Sequence, residues 1–324
     1  MRTTTSSTFW ATVLLLGGLA LLPLYAQASN QPFLVTFTTR VLILALAALS
    51  LNLILGYGGM VSFGHAMYIG LGAYAVGLLA HHGIANGWLQ LLATLVVCAA
   101  VGALTGWVSL RTSGIGFIMI TLAFSQLFFF LFVSLKQYGG ADGLSITARS
   151  DFGLFHLGTP TTLYYAALLL VGGVLLAVAR LVQAPFGMVL QGCRMNERRM
   201  QALGFPTLRY RLSAYALSCT IAGVAGLLYA NLTGYASPAY LAWTLSGELI
   251  VMVVIGGMGT VLGPLVGALA LLGLEDILKG ITERWMLILG PLIVLVALLA
   301  RRGLVGFLLD WDAARARRAE AISK

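Results

Sequence analysis

Charge is scarce in this 324-residue sequence. Asp, Glu, Lys and Arg together make up 9% of it, and only 10 residues are acidic, while 60% are hydrophobic. A soluble domain of this length needs far more polar residues to cover its core, so the composition excludes one and points to a chain that crosses a membrane repeatedly. Cysteine is also sparse: Cys98, Cys193 and Cys219 lie far apart, with neither metal-ligand spacing nor a disulfide framework. The four histidines are His65, the pair His81 and His82, and His156, again without a ligand pattern. No GxxxxGK[ST] run is present to cradle ATP, and no HExxH or GxSxG pattern supplies a catalytic centre. No catalytic residue, metal or cofactor is expected, and the chain does not read as an enzyme. The acids near apolar runs are Glu248, Glu275 and Asp276, each within reach of an interface. That is unlike proton-driven carriers, which commonly hold Asp, Glu or His near the midplane. The net charge of +9 does not mark a nucleic-acid surface, because the arginines cluster between and after apolar runs.

What is present is a succession of apolar runs. About 20 apolar residues span a bilayer as a helix. Ten candidate segments follow: 9–25, 35–55, 65–80, 88–110, 117–135, 163–181, 212–232, 248–263, 265–278 and 285–300. The expected fold is all-α, a polytopic membrane protein of about ten transmembrane helices. The first run has a rival reading, since Arg2, the apolar stretch and Ala26-Gln27-Ala28 also resemble a signal peptide with a small-residue cleavage site. Alternating ten helices puts fourteen of the 19 basic residues on one side, namely Arg2, Arg111, six within 180–211 and six in the tail. The other side holds Arg40, Lys136, Arg149, Lys279 and Arg284. The richer side is therefore expected to be cytoplasmic, with both termini on it. The domain reading is an N-terminal helix and external turn (1–34), a transmembrane domain (35–301) and a basic cytoplasmic tail (302–324).

The main polar feature is the island 183–211, which holds Arg194, Arg198, Arg199, Arg209 and Arg211 against the single acid Glu197. A short helix with readable ends lies within it. Asn196 suits an N-cap, and Glu197 in the first turn suits the helix dipole. Gly204 suits the left-handed position after the helix, and Pro206 prevents continuation. Met200 and Leu203 share one face, with Ala202 between them and Phe205 following. The island is either a loop whose arginines fix topology or a basic helix with apolar knobs that docks on a partner.

Two glycine-rich stretches interrupt the apolar runs. The first, 56–65, contains Gly58, Gly59, Ser62, Gly64 and His65; the second contains Gly256 and Gly257. Glycine at this density marks either a loop or a broken helix lining a cavity, so these residues are candidates for a translocation path. Glu248, which on this reading opens the second glycine-broken helix, joins them, although a carboxylate at a helix start is also simply favoured by the dipole. The tripeptide Gly-Gly-Met occurs in both stretches, at 58–60 and 256–258, and both runs are expected to descend to the cytoplasmic side. An inverted repeat is not supported by this pair.

Three stretches resemble a known family: LNLILGYGGMVSFGHAMYIGLGAYAVG (51–77), the ERRMQALG core of the island, and ELIVMVVIGGMGTVLGPLVGA (248–268). Together they are similar to the membrane-spanning permease of ABC importers for branched-chain amino acids, in particular its M-type subunit. The loop DGLSIT (142–147) looks like that family's first long external loop. The resemblance implies a fold like that of type II-like ABC importer permeases, in the bacterial inner membrane. It implies a homologous second permease, two cytoplasmic ATPase subunits and a periplasmic binding protein as partners. It also implies that the island is the ATPase-coupling loop, with Asn196, Glu197, Arg198, Ala202, Leu203 and Gly204 matching the family's motif. Cys193-Arg194-Met195 departs from the more uniformly apolar and basic lead-in of that motif. The implied cargo is a branched-chain or other hydrophobic amino acid. Urea or a short amide is the alternative within transport, and a self-sufficient channel or ion-coupled carrier is the contrasting class.

Overall fold

The computed structural model describes residues 4–29, 31–153, 156–299 and 303–306; the basic tail expected at 302–324 lies almost wholly outside them. The main α-helices among the described residues are α1 (Thr4–Ala28), α2 (Pro32–Asn52), α3 (His65–His81), α4 (Gly87–Ser109), α5 (Ile115–Ser134), α6 (Pro160–Gln183), α7 (Pro185–Ala202), α8 (Thr207–Thr233), α9 (Trp243–Gly256), α10 (Gly263–Ile281) and α11 (Trp285–Leu299). Among the described residues, five helical stretches are long and apolar enough to cross a membrane: Pro32–Tyr57, α4, α5, α6 and α8. The all-helical expectation has one exception. The two-residue strands β1 (Leu144–Ser145) and β2 (Tyr235–Ala236) pair antiparallel and tie the long loop after α5 to the end of α8.

α2 is the central post. Its sequence, VLILALAALSL, is apolar on every face, and a helix of that kind must be enclosed by others. In the most apolar 18 residues of the Pro32–Tyr57 span 78% are buried, against 28% for α4 and 22% each for α5 and α6, which form the periphery. Lipid is as apolar as leucine, so helix association inside a membrane depends on close packing rather than on hydrophobic burial. The α3–α8 crossing shows how this is achieved. A Cβ added at Gly72 would lie 2.0 Å from the Gly223 carbonyl oxygen, and one at Gly226 would lie 2.0 Å from that of Ile69. The two backbones touch there, and only glycine permits it.

α3 has 17 residues, a length of about 25 Å at about 1.5 Å per residue, short of a bilayer core of about 30 Å. α2 widens into a π-helical turn at Leu53–Tyr57, and residues 58–64 then turn back into the bundle as non-helical chain. Irregular backbone packed against other helices requires partners from the protein. Met60 N donates to Ile54 O at 2.8 Å, Phe63 N to Thr121 Oγ1 at 3.2 Å and Ala66 N to Ser246 Oγ at 2.9 Å. The glycine stretch is therefore an irregular connection between α2 and α3, held by side chains of neighbouring helices, with Gly59 exposed.

The second glycine stretch differs from the expected run 248–263. α9 begins earlier, at Trp243, and stops at Gly256 because Gly257 adopts φ +121°. Glu248 is consequently the sixth residue of α9 and does not open it, so the helix dipole is not what favours a carboxylate there.

Candidate functional site

The island folds as two helical pieces meeting at Asn196. The first, from Pro185, was not anticipated. Asn196 leaves the helical region with φ −160° and ψ 99°, and its Oδ1 accepts from Arg199 N at 3.0 Å. That bond caps the short helix beginning at Glu197. Gly204, at φ +87°, closes the other end. Phe205 N reaches back to Met200 O at 3.2 Å and Gly204 N to Gln201 O at 2.9 Å, the paired bonds of a left-handed terminus.

Side chains then divide this helix into an inner and an outer surface. Glu197 faces inward, where Arg211 Nη1 donates to its Oε2 at 2.6 Å and Thr207 Oγ1 to its Oε1 at 3.3 Å. The Arg211 side chain is only 11% exposed, so the pair fastens the short helix to the root of α8. Met200 is half-buried and lies over Gly192, so it does not join Leu203 on an exposed face as its spacing suggested. The exposed apolar groups are Met195, Leu203, Phe205 and Leu208, with Met195 88% and Leu203 65% exposed. Arg198, Arg199, Ala202 and Arg209 are exposed among them.

Arg194 behaves differently from the other arginines. Its Nη1 donates to the carbonyl oxygen of Gly56 in the π-helical turn. Its aliphatic stem crosses Gly59 so closely that a Cβ there would lie 2.8 Å from Cγ, and Gly59 itself sits at φ +67°. The same turn is stitched to the loop after α9. Asn52 Nδ2 donates to Thr260 O at 2.9 Å, and its Oδ1 accepts from Gly259 N at 3.0 Å. Arg194, Gly58 and Gly59 thus meet the loop following Gly256 and Gly257 at one junction, which brings both Gly-Gly-Met stretches together.

The remaining path candidates lie elsewhere. Ser62, Gly64 and His65 are buried deeper in the bundle, where Gly64 abuts the backbone of Thr121. His65 Nε2 shares a hydrogen bond with Ser50 Oγ at 2.8 Å, while its Nδ1 has no partner among the described residues. Ser218 Oγ bonds Ser50 O at 2.5 Å, and Tyr68 OH bonds Thr105 Oγ1 at 2.7 Å and Tyr215 OH at 3.3 Å. This polar thread joins α2, α3, α4 and α8 and was not foreseen from the sequence. Glu248 is exposed on α9, in the field of Arg40, Glu275 and Lys279, and touches neither glycine junction nor thread. Among the described residues, no three His, Cys, Asp or Glu side chains cluster in a way that could hold a metal.

A family model described as branched-chain amino acid transport system, permease component, matches residues 33–298. The chain belongs to this permease family. It is 30% identical to the high-affinity branched-chain amino acid transport system permease protein LivM of Salmonella typhimurium, an alignment covering 89% of this chain and 74% of the relative. LivM of Escherichia coli K12 is 29% identical over the same shares. A LivH permease protein of the same transport system in Escherichia coli K12 is 23% identical over 81% of this chain and 91% of its own. No solved structure matches. The family is one of transport permeases, which agrees with the lack of any catalytic pattern in the sequence.

Proposed function

We propose that this chain is the M-type membrane-spanning subunit of an ABC importer for branched-chain amino acids. It would pair with a homologous second permease, be driven by two cytoplasmic ATPase subunits and receive cargo from a periplasmic binding protein. The carrying observation is the family match across 33–298 in a chain that has no nucleotide motif yet presents a capped helix with an exposed apolar and basic surface. The segment 183–211 is the coupling loop of a transmembrane domain spanning 35–301, and Arg198, Arg199 and Leu203 dock on the ATPase. The glycine junction at Gly58, Gly59, Gly256 and Gly257 is the hinge through which this contact reaches the path past Ser62, Gly64 and His65. The helices cross the inner membrane about ten times, with both termini in the cytoplasm. Support for this orientation is the excess of basic residues in 180–211 over the loops around Arg40 and Lys136.

The test is uptake of labelled leucine into vesicles carrying the chain with its candidate partners. ATP-dependent uptake requiring all of them is expected. Uptake by this chain alone would make it a self-sufficient carrier or channel instead. A binding protein that prefers urea or short amides over leucine would reassign the cargo.

A further inference from the structure

The end of the bundle opposite the Arg194 junction contains a cavity of about 470 Å³, between the first half of α2, the last turns of α8 and the second half of α10. That volume is within the range of about 300–1,000 Å³ usual for small-molecule pockets. Its walls are largely apolar, formed by Phe33, Phe37, Tyr229, Leu232 and Leu272. Its charged groups are Arg40, Glu275, Asp276 and Lys279. Two of these neutralise each other, since Lys279 Nζ donates to Glu275 Oε1 at 2.5 Å and also lies 4.6 Å from the centre of the Trp285 ring.

Among the lining groups one charge of each sign is left over, with Glu248 of α9 outside the lining but in the field of Arg40. Arg40 makes no ion pair among the described residues, and its Nε is buried without a hydrogen-bond partner. Asp276, at the solvent-exposed rim, makes no ion pair there either. A buried donor without a partner carries a cost that a bound acceptor would remove. A guanidinium also offers a planar fork suited to a carboxylate.

We infer that this cavity is a binding site for a zwitterionic amino acid with an apolar side chain. Arg40 receives the carboxylate, Asp276 faces the ammonium group, and the side chain lies against Phe33 and Phe37. On the orientation proposed above the cavity opens outward, so it would take cargo as the binding protein releases it. This inference deepens the proposed function and rests on it.

The test uses the full importer reconstituted with its binding protein and ATPases. Leucine uptake and ATPase stimulation by the liganded binding protein are measured for the wild type, Arg40→Met, Arg40→Lys and Asp276→Asn. The expected result is uptake at least tenfold lower in Arg40→Met and several-fold lower in Asp276→Asn. Partial rescue in Arg40→Lys and wild-type ATPase stimulation throughout are expected as well. If Arg40→Met prevents assembly, Asp276→Asn and Phe37→Ala carry the test, because both positions are partly open to solvent. Wild-type uptake in Arg40→Met, or in the latter two when Arg40→Met does not assemble, overturns the cavity site and leaves the importer reading intact. Failure of the unmodified importer to take up leucine overturns that reading, and the cavity inference with it.

Discussion

Arg194 donates from its Nη1 to the carbonyl oxygen of Gly56, which joins the island to the last turn of the central helix. With the Arg194 stem lying across Gly59, it links the island to the segment from which the chain re-enters the bundle. π-helical turns inside α-helices occur frequently at functional sites.

The first prediction follows from that bond. Arg194→Ala removes a charge-assisted hydrogen bond worth about 1.5–3 kcal/mol. Membrane insertion and ATPase association should stay near wild type, because the groups proposed to dock lie on the other surface. Leucine uptake per ATP hydrolysed should fall at least several-fold. Arg194→Lys should not restore it, since an ammonium lacks the planar fork. Equal uptake per ATP in wild type and Arg194→Ala would remove the link from the coupling path.

The second prediction concerns the α3–α8 crossing. Gly226→Val places a branched side chain against the backbone of α3, where the Cβ alone would lie 2.0 Å from Ile69 O. The cost is at or above the upper end of the range of about 1–3 kcal/mol for overpacking. Gly273→Ala, with nothing within 4 Å of the new Cβ, is the control. Thermal unfolding in detergent should show a drop of several degrees for the first and almost none for the second.

Features carried by local chemistry were legible in the sequence. Asn196 and Gly204 cap a short helix because an Asn side chain and a glycine φ are local properties, and the apolar runs became helices for the same reason. Features set by distant neighbours were not. Met200 and Leu203 share a helical face by spacing, yet Met200 folds over Gly192 because α7 bends at Asn196. Glu197 finds Arg211 fourteen residues away, a pairing that no helical period encodes. The start of α7 did have a readable signal, since Ala184-Pro185 puts proline at the first helical position. Glu248 was misplaced because the start of α9, from Trp243 to Gly247, carries no strong cap.

A third prediction uses the cysteines. Cys193 is buried in α7, and burial pushes its thiol above the ordinary range, with Glu197 adding to the effect and Arg211 opposing it. A raised value keeps the thiol protonated at neutral pH, where it reacts slowly. Cys98 and Cys219 are buried as well. The unmodified chain should therefore resist a membrane-permeant maleimide at pH 7 in native membranes. Rapid labelling at Cys193 would mean that the island opens away from α8 at rest. The same silent background makes Arg198→Cys a topology probe, which an impermeant reagent should reach only from the cytoplasmic side.

The last prediction separates docking from internal packing on the short helix. Leu203 is 65% exposed, so truncating it costs the isolated chain little. If an ATPase covers it, full burial contributes about 1.5–3 kcal/mol, equivalent to roughly tenfold to a hundredfold in affinity. An exposed arginine such as Arg198 should contribute less than about 1 kcal/mol, because solvent and salt screen its pairing. Met200 contacts its own chain, so Met200→Ala should loosen the short helix against Gly192 and lower thermal stability more than it lowers ATPase affinity. The expected order of weakened ATPase co-purification is therefore Leu203→Ala first, then Met200→Ala, then Arg198→Ala. Gly204→Val, which forces a β-branched residue to φ +87°, should insert normally and yet lose substrate-stimulated hydrolysis. Wild-type co-purification in Leu203→Ala would show that the exposed apolar surface is not the docking site, and the arginines of the island would then serve only to fix its side of the membrane.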